Sequence, residues 1–472
     1  MLSFFTEVSK YLNVLLVFVF TASGLYAVLN KKITKRSFGD FCAYQRVVIV
    51  LFNLQSAALI FFNELGGSRL EEFLKMFGIA WVAMLVLSIT MNTLHKGSNK
   101  ILTNSIIFLL SVGIVMLWRI SPSNCIRQIW WIAVSVVVMN VVMLALRWKW
   151  VYKIPWWVWA GAALGLVVLP FIFPAPENGS LNWVNIKGIT FQPSELIKPV
   201  LVFMLSVLYV RKKKVTSILM GGCVVGALAV VLLLQNDLGT ILIFCSMFLL
   251  MVYDYTQREW ILIGGVLGVL VCGVVAYRFV GHVQTRVDIW LNPWEDVDGG
   301  GYQIAQSLFA IVGGKFMGTG LYQGVPYYIP EAWTDMIFAG ICEEFGGIFA
   351  ALMVMIYLLM ALMMFNLVSR YENRLRRNIA MACSIITGIQ TILIIGGVIK
   401  MLPLTGVTLP LVSYGGTSMI STFIILAIVQ ELFRSRSQTE RKVREYEERK
   451  QQAQQGEQAI TKPFRFDDPW HW

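Results

Sequence analysis

The sequence predicts an all-α polytopic membrane protein with about thirteen transmembrane helices, and three observations lead there. Hydrophobic residues make up 57% of the 472 and charged residues only 14%, against roughly 45–50% and 25% in a soluble domain. Apolar segments of about 17–25 residues, each long enough as helix to cross a ~30 Å hydrocarbon core, recur from residue 11 to residue 432. Period-2 alternation is absent, and lipid cannot satisfy open backbone polar groups, so the spans are helices and not barrel strands.

The spans read as 11–30, 46–62, 77–93, 101–118, 129–146, 155–174, 196–210, 215–235, 238–254, 259–279, 336–368, 378–402 and 410–432. The basic loops 31–36, 95–100, 147–153, 211–214 and 370–377 then fall on one side. By the positive-inside bias that side is cytoplasmic, with the N-terminus outside and the C-terminus inside. This clustering accounts for the net charge of +12 and counts against nucleic-acid binding. The N-terminus lacks a basic region before its first apolar run and has no small-residue cleavage site, so it reads as a retained span and not a signal peptide. The seven cysteines are scattered, without metal or redox spacing, and read as small core residues.

The large outer loop, about 280–335, ends in Pro330-Glu331-Ala332-Trp333-Thr334-Asp335 directly before an apolar run and Glu343-Glu344. Asp335 at a helix start suits an N-cap that satisfies free N–H groups and the positive dipole end. The cap is compatible with a second role as an oriented, solvent-reachable acid, provided desolvation lifts its pKa from near 3.9 towards neutrality against the pull of the helix dipole. Glu343 and Glu344 follow about 12–14 Å further along a helix and should be paired or protonated, in an interhelical hydrogen bond or a polar cavity. Lys315, Arg286 and Lys187 are cations on the same face, either snorkelling or available to a pyrophosphate-linked lipid. Glu195 and Lys198 are spaced for an ion pair on one helix. Asp237 before Leu238-Gly239 has the same cap ambiguity as Asp335, and His282 lacks neighbours of ligand spacing.

Five segments in order resemble the SEDS proteins of bacterial shape, elongation, division and sporulation, the RodA/FtsW/SpoVE-like group. They are Gln192-Pro193-Ser194-Glu195-Leu196-Ile197-Lys198, Gln235-Asn236-Asp237-Leu238-Gly239-Thr240, Gly301-Tyr302-Gln303 with Gln306-Ser307, Glu331 to Phe338 with Glu343-Glu344-Phe345-Gly346, and Leu409 to Ser418. The resemblance covers about residues 101–432. It implies a ten-helix core at 101–433, preceded by an extra three-helix module at 1–100 and followed by a charged cytoplasmic helix and tail at 434–472. Departures from the family pattern fall at Asn182, Asn236, Ile394 and Lys400.

The resemblance further implies a multi-pass protein of the cytoplasmic membrane that acts as a peptidoglycan glycosyltransferase. It would polymerise lipid II on the outer face beside a class B penicillin-binding protein transpeptidase. Asp335 would be the catalytic base of an inverting transfer. Lys315, Arg286, Lys187, Glu195, Lys198, Gln303, Asp237 and Ser413 would bind substrate, with Glu331, Thr334, Trp333, Glu343 and Glu344 in support. A divalent cation, Mg2+ or Mn2+, is the one cofactor this chemistry invites. A flippase for lipid II or another polyprenyl lipid, and a non-catalytic scaffold of the wall-synthesis complex, are the competing functions. A reporter fused to the N-terminus should read as extracytoplasmic, and a cytoplasmic reading would break the thirteen-span count.

Overall fold

The structure, a computed structural model, describes residues 2–30, 35–175, 181–186, 189–210 and 215–454. Three helices come first: α1 (Leu2–Leu29), α2 (Lys35–Asn63) and α3 (Leu70–Thr93). Then follow α4 (Lys100–Ile120), α5 (Pro122–Ala145), α6 (Trp156–Ile172), α7 (Pro193–Leu208), α8 (Val215–Leu234), α9 (Leu238–Thr256) and α10 (Glu259–Phe279). A hairpin of Val184–Ile186 and Ile189–Phe191 precedes α7. The chain continues through α11 (Gly281–Leu291), α12 (Tyr302–Gly314) and α13 (Ile337–Phe345) to α14 (Gly347–Val368), α15 (Arg374–Val398) and α16 (Gly416–Gln454).

Eleven of these helices are long and apolar enough to cross a membrane among the described residues. The two other expected spans are α6, an apolar helix of 17 residues, and α7, of 16 residues, which carries Glu195 and Lys198. Both run in the same bundle as the rest. The central helix is α4, buried from Ile101 to Trp118 because α2, α3, α5 and α14 surround it. Lipid tails give no hydrophobic drive between helices, so polar contacts fix register there. Asn53 Nδ2 donates to Ser111 Oγ at 2.8 Å and Asn104 Nδ2 to Gln45 Oε1 at 3.1 Å. By contrast α10 has no buried residue.

Polar contacts gather the loops at two opposite ends. At the basic end Asn99 N donates to Gln430 Oε1, Arg147 Nη2 to His95 Nδ1 and Arg377 Nη2 to Asp254 Oδ1. At the other end Tyr414 N donates to Trp333 O, Arg286 Nη1 to Leu404 O and Leu181 N to Gln235 O. Asp335 lies at this second end, two residues after Trp333, while the start of α1 packs through Thr6 and Lys10 against Gly320.

The structure sharpens three expectations. The span expected at 336–368 is two helices, broken at Gly346, whose φ of +91° disfavours any L side chain. The long outer loop expected at 280–335, with room for one short interfacial helix, contains two helices, α11 and α12. The charged helix expected from residue 434 is continuous with the last span, α16 running without interruption to Gln454.

The break at Gly346 is closed by backbone hydrogen bonds. Thr319 N donates to Glu343 O at 2.8 Å and Gly320 N to Glu344 O at 3.0 Å, so they satisfy the last carbonyls of α13. Gly347 N and Ile348 N, at the start of α14, donate to Lys315 O and Phe316 O. A Cβ on Gly346 would collide with Gly318 N. Gly346→Ala should therefore destabilise the protein by about 3 kcal/mol through backbone strain and the lost exchange, read as a lower Tm in detergent. An unchanged Tm would show that the break tolerates a side chain.

Candidate active site

Asp335 sits in a turn ahead of α13 and does not cap it. The residue before the helix is Met336, and no side chain accepts a capping hydrogen bond there. The carboxylate is closely surrounded by protein yet the residue remains partly solvent-exposed. Glu331 precedes it in the left-handed region, at φ +54°, a conformation that costs a non-glycine residue about 1–3 kcal/mol. That turn folds Glu331 back beside Asp335. The Thr334 hydroxyl lies 3.1 Å from both Glu331 O and Glu331 Oε2 and 3.3 Å from Asp335 Oδ1, so its one proton has three acceptors, two of them on carboxylates. Gln303 Nε2, in the first turn of α12, approaches Asp335 Oδ1 at 3.4 Å and Pro330 O at 3.3 Å. Trp333 is tied through its carbonyl to Tyr414 N at 2.8 Å.

Burial pushes the Asp335 carboxyl up to about 7, and the neighbouring Glu331 charge adds to the rise. Hydrogen bonding and Arg286 pull the other way without cancelling it. Burial in turn lowers the Arg286 pKa, opposed by the negative charges of Asp237 and Asp335. Arg286 is thus a cation placed between two acids, fixed by its bond to Leu404 O at 3.1 Å.

Asp237 does cap its helix, with Oδ1 accepting from Thr240 N at 3.1 Å. Its other oxygen accepts from Asn182 Nδ2, Gln192 Nε2 and Ser194 Oγ at 2.8, 3.3 and 3.0 Å. The carboxylate therefore gathers three segments under the site. Glu195 and Lys198 form the expected ion pair at 2.7 Å, fully inside the bundle, and Lys198 Nζ also donates to Gln390 Oε1 at 2.9 Å. Ser413 Oγ accepts from Leu409 N, which stabilises the turn that Tyr414 extends towards Trp333.

Not all expected residues converge. Lys315 ends α12 whereas Gln303 begins it, a separation of about 18 Å along the axis. It is exposed at the far end of the α12/α13 pair, so the structure does not bring it to Asp335. The reason is that α12 runs alongside α13, so that its end lies against the end of α13 and the Gly346 break, away from Asp335. Glu343 and Glu344 share that far end: Glu344 Oε1 pairs with Arg119 Nε at 2.8 Å, and Glu343 Oε1 accepts from Val325 N at 2.9 Å. Lys187 lies outside the described residues.

Sequence reasoning passed over Arg119, Gln390 and Gln128. Gln128 Nε2 donates to Ser413 O and its Oε1 accepts from Gly415 N. Arg119 alone carried a signal, as a charge in the last turn of an apolar helix.

The fold and the site together describe a polytopic membrane protein that holds an acid, Asp335, near a fixed cation, Arg286, among the loops at one end of its helix bundle. Residues 100–438 match the FtsW/RodA/SpoVE family, described as cell cycle proteins, and the chain belongs to that family. It is 34% identical over 292 residues to peptidoglycan glycosyltransferase RodA of Mycobacterium bovis, covering 57% of this chain and 62% of that protein. To RodA of Mycobacterium leprae it is 31% identical over 354 residues, covering 69% of this chain and 75% of that protein. To the probable peptidoglycan glycosyltransferase FtsW of Wigglesworthia glossinidia brevipalpis it is 34% identical, covering 56% and 72%. Among solved structures, a chain of a peptidoglycan synthase complex superposes with a TM-score of 0.62 at 24% identity, covering 72% of this chain and 98% of that one. The rod shape determining protein RodA of Thermus thermophilus superposes with a TM-score of 0.55 at 21% identity, covering 72% and 97%. These two establish the shared fold.

The buried pair gives a test of the site's scaffold. Lys198→Met strands a buried carboxylate and should cost about 3–5 kcal/mol, whereas Glu195→Gln/Lys198→Met together should cost less. Tm values of the three proteins in detergent check the order. A double variant less stable than the single would remove the ion pair as the cause.

Proposed function

We infer that the protein is a peptidoglycan glycosyltransferase of the cytoplasmic membrane that extends glycan strands from lipid II on the outer face. The observation that carries this reading is the setting of Asp335, a carboxylate closely surrounded by protein on a partly exposed residue, held by Thr334 and Gln303 with Arg286 nearby, where burial pushes its carboxyl up to about 7. A general base works best when its pKa lies near the operating pH. Asp335 accepts the proton of the acceptor sugar's 4-hydroxyl as that oxygen attacks the donor's anomeric carbon. The C–O bond to the diphosphate breaks with inversion, and undecaprenyl diphosphate leaves. Thr334 and Gln303 hold the carboxylate, and Arg286 offers positive charge to the departing diphosphate.

Among the described residues no cluster of three or more His, Cys, Asp or Glu could hold a metal ion. Two carboxylates joined by a hydroxyl nevertheless fit the way Mg2+ is held, by one or two carboxylates together with substrate phosphates. Glu331 and Asp335 would be its protein ligands, and the ion would supply charge for the leaving diphosphate. A class B penicillin-binding protein is the proposed partner. The names of the glycosyltransferase relatives support the enzymatic reading over a flippase or scaffold. So does the use of Glu343 and Glu344 as anchors for Val325 and Arg119.

The test is purified protein with its transpeptidase, lipid II and divalent cation. Glycan polymer should form with the native chain and none with Asp335→Ala; polymer from Asp335→Ala would refute the base assignment. Because the base must be deprotonated, the rate should rise with pH through about 7. Glu331→Gln removes a neighbouring negative charge, lowers the Asp335 pKa and should move the acid limb to lower pH. Arg286→Met should move it higher. Coincident limbs in the pH–rate profiles of all three proteins would detach the limb from Asp335.

A further inference from the structure

Residues 1–99 lie outside the family match, yet α1 and α2 reach the loop that closes the Gly346 break. On one side a Cβ at Gly320 would sit 2.8 Å from Thr6 Cγ2 and 2.9 Å from Lys10 Cε, so α1 presses directly on this backbone. On the other, Glu64, just beyond α2, accepts a hydrogen bond from the Tyr322 hydroxyl at 3.1 Å. Tyr322 holds φ +70°, a conformation that needs an external restraint. Its ring lies 4.8 Å from the Arg119 guanidinium carbon. Arg119 in turn donates to Glu344 Oε1 at 2.8 Å and to Gly324 O at 2.7 Å.

A continuous chain of contacts therefore runs from the N-terminal helices to the far end of α13. Glu64 fixes Tyr322, Tyr322 covers Arg119, and Arg119 pins Glu344. The same loop supplies the Thr319 and Gly320 N–H groups that cap α13. Asp335 is two residues ahead of this helix, so the placement of α13 sets where the carboxylate points.

We propose that the N-terminal three-helix module is a brace for the active site, with Glu64 as a positioning residue that acts through Tyr322 and Arg119 on α13. The mechanical part stands on geometry alone, and the kinetic consequence rests on the reading of Asp335 as the base. Half-buried and tied to a single phenol, Glu64 touches no reacting atom. Its loss should let the 318–324 loop and α13 shift while the substrate contacts remain.

The experiment uses the full-length protein with its transpeptidase in nanodiscs. Glu64→Ala and Tyr322→Phe should each lower kcat for lipid II polymerisation about tenfold, within the range that a ~1 Å misplacement causes, with KM changed less than about twofold. Glu64→Gln keeps an acceptor and should recover most of the rate. The double variant should be no slower than either single, because both remove one contact. Independently of activity, hydrogen exchange at 318–324 and 337–346 should quicken in both single variants, with α15 unchanged as an internal reference. Tyr322→Phe carries the test if Glu64→Ala does not fold. Unchanged exchange at 318–346, or losses that multiply in the double variant, would overturn the brace. Quickened exchange in Glu64→Ala combined with polymer still formed by Asp335→Ala would uphold the brace and refute the base.

Discussion

The site depends on an exchange of backbone hydrogen bonds across the break at Gly346. A helix interrupted inside a membrane bundle leaves carbonyls and N–H groups that neither lipid nor apolar side chains can satisfy. Here the 315–320 loop satisfies both sides: Thr319 and Gly320 serve the end of α13, and Lys315 and Phe316 serve the start of α14. The break thereby turns one long helix into two. It also frees α13 to lie alongside α12, with Gln303 at the Asp335 end and Lys315 at the other. Asp335 owes its position beside Gln303 and Arg286, and its distance from Lys315, to this arrangement.

Charges are handled differently on either side of that pair. At the far end and within the bundle two carboxylates are ion-paired, Glu344 with Arg119 and Glu195 with Lys198. Buried pairs of this kind add little net stability, but removal of one partner is costly, so they fix helices in place. Asp237, with hydrogen bonds from four partners, likewise serves as a hub. At the near end the acids are held by hydrogen bonds. Asp335 and Glu331 face one another across a single hydroxyl, with Arg286 as the cation within reach. Burial, and after it the Glu331 charge, push the Asp335 carboxyl up to about 7.

The legible residues were those whose chemistry acts within a few positions of chain. Glu195 and Lys198, three apart, had to meet if both faced inward, and they do. Asp237 before an apolar run capped its helix. Asp335 followed the same local rule and broke it, because Glu331 in the left-handed region turns the chain before α13 can use the carboxylate. Arg119 and Glu344 are 225 positions apart, and Gln128 meets Ser413 across 285; no local pattern announces such pairs. Lys315 was grouped with Asp335 because both lie near one predicted loop, but α12 intervenes as a rigid spacer.

The sequence by itself determined that this chain spans a membrane many times, which loops carry the basic residues, and which acid stands where an apolar helix begins. Those properties follow from composition and local periodicity, since transfer into lipid is settled residue by residue along each helix. Only the tertiary structure decided that the span at 336–368 is broken, that Asp335 is lifted towards neutrality, and that Glu64 reaches Tyr322 from outside the family core. Each of these depends on groups brought together from distant parts of the chain. Burial, charge and backbone satisfaction at such a point are properties of the assembled bundle and not of any one segment.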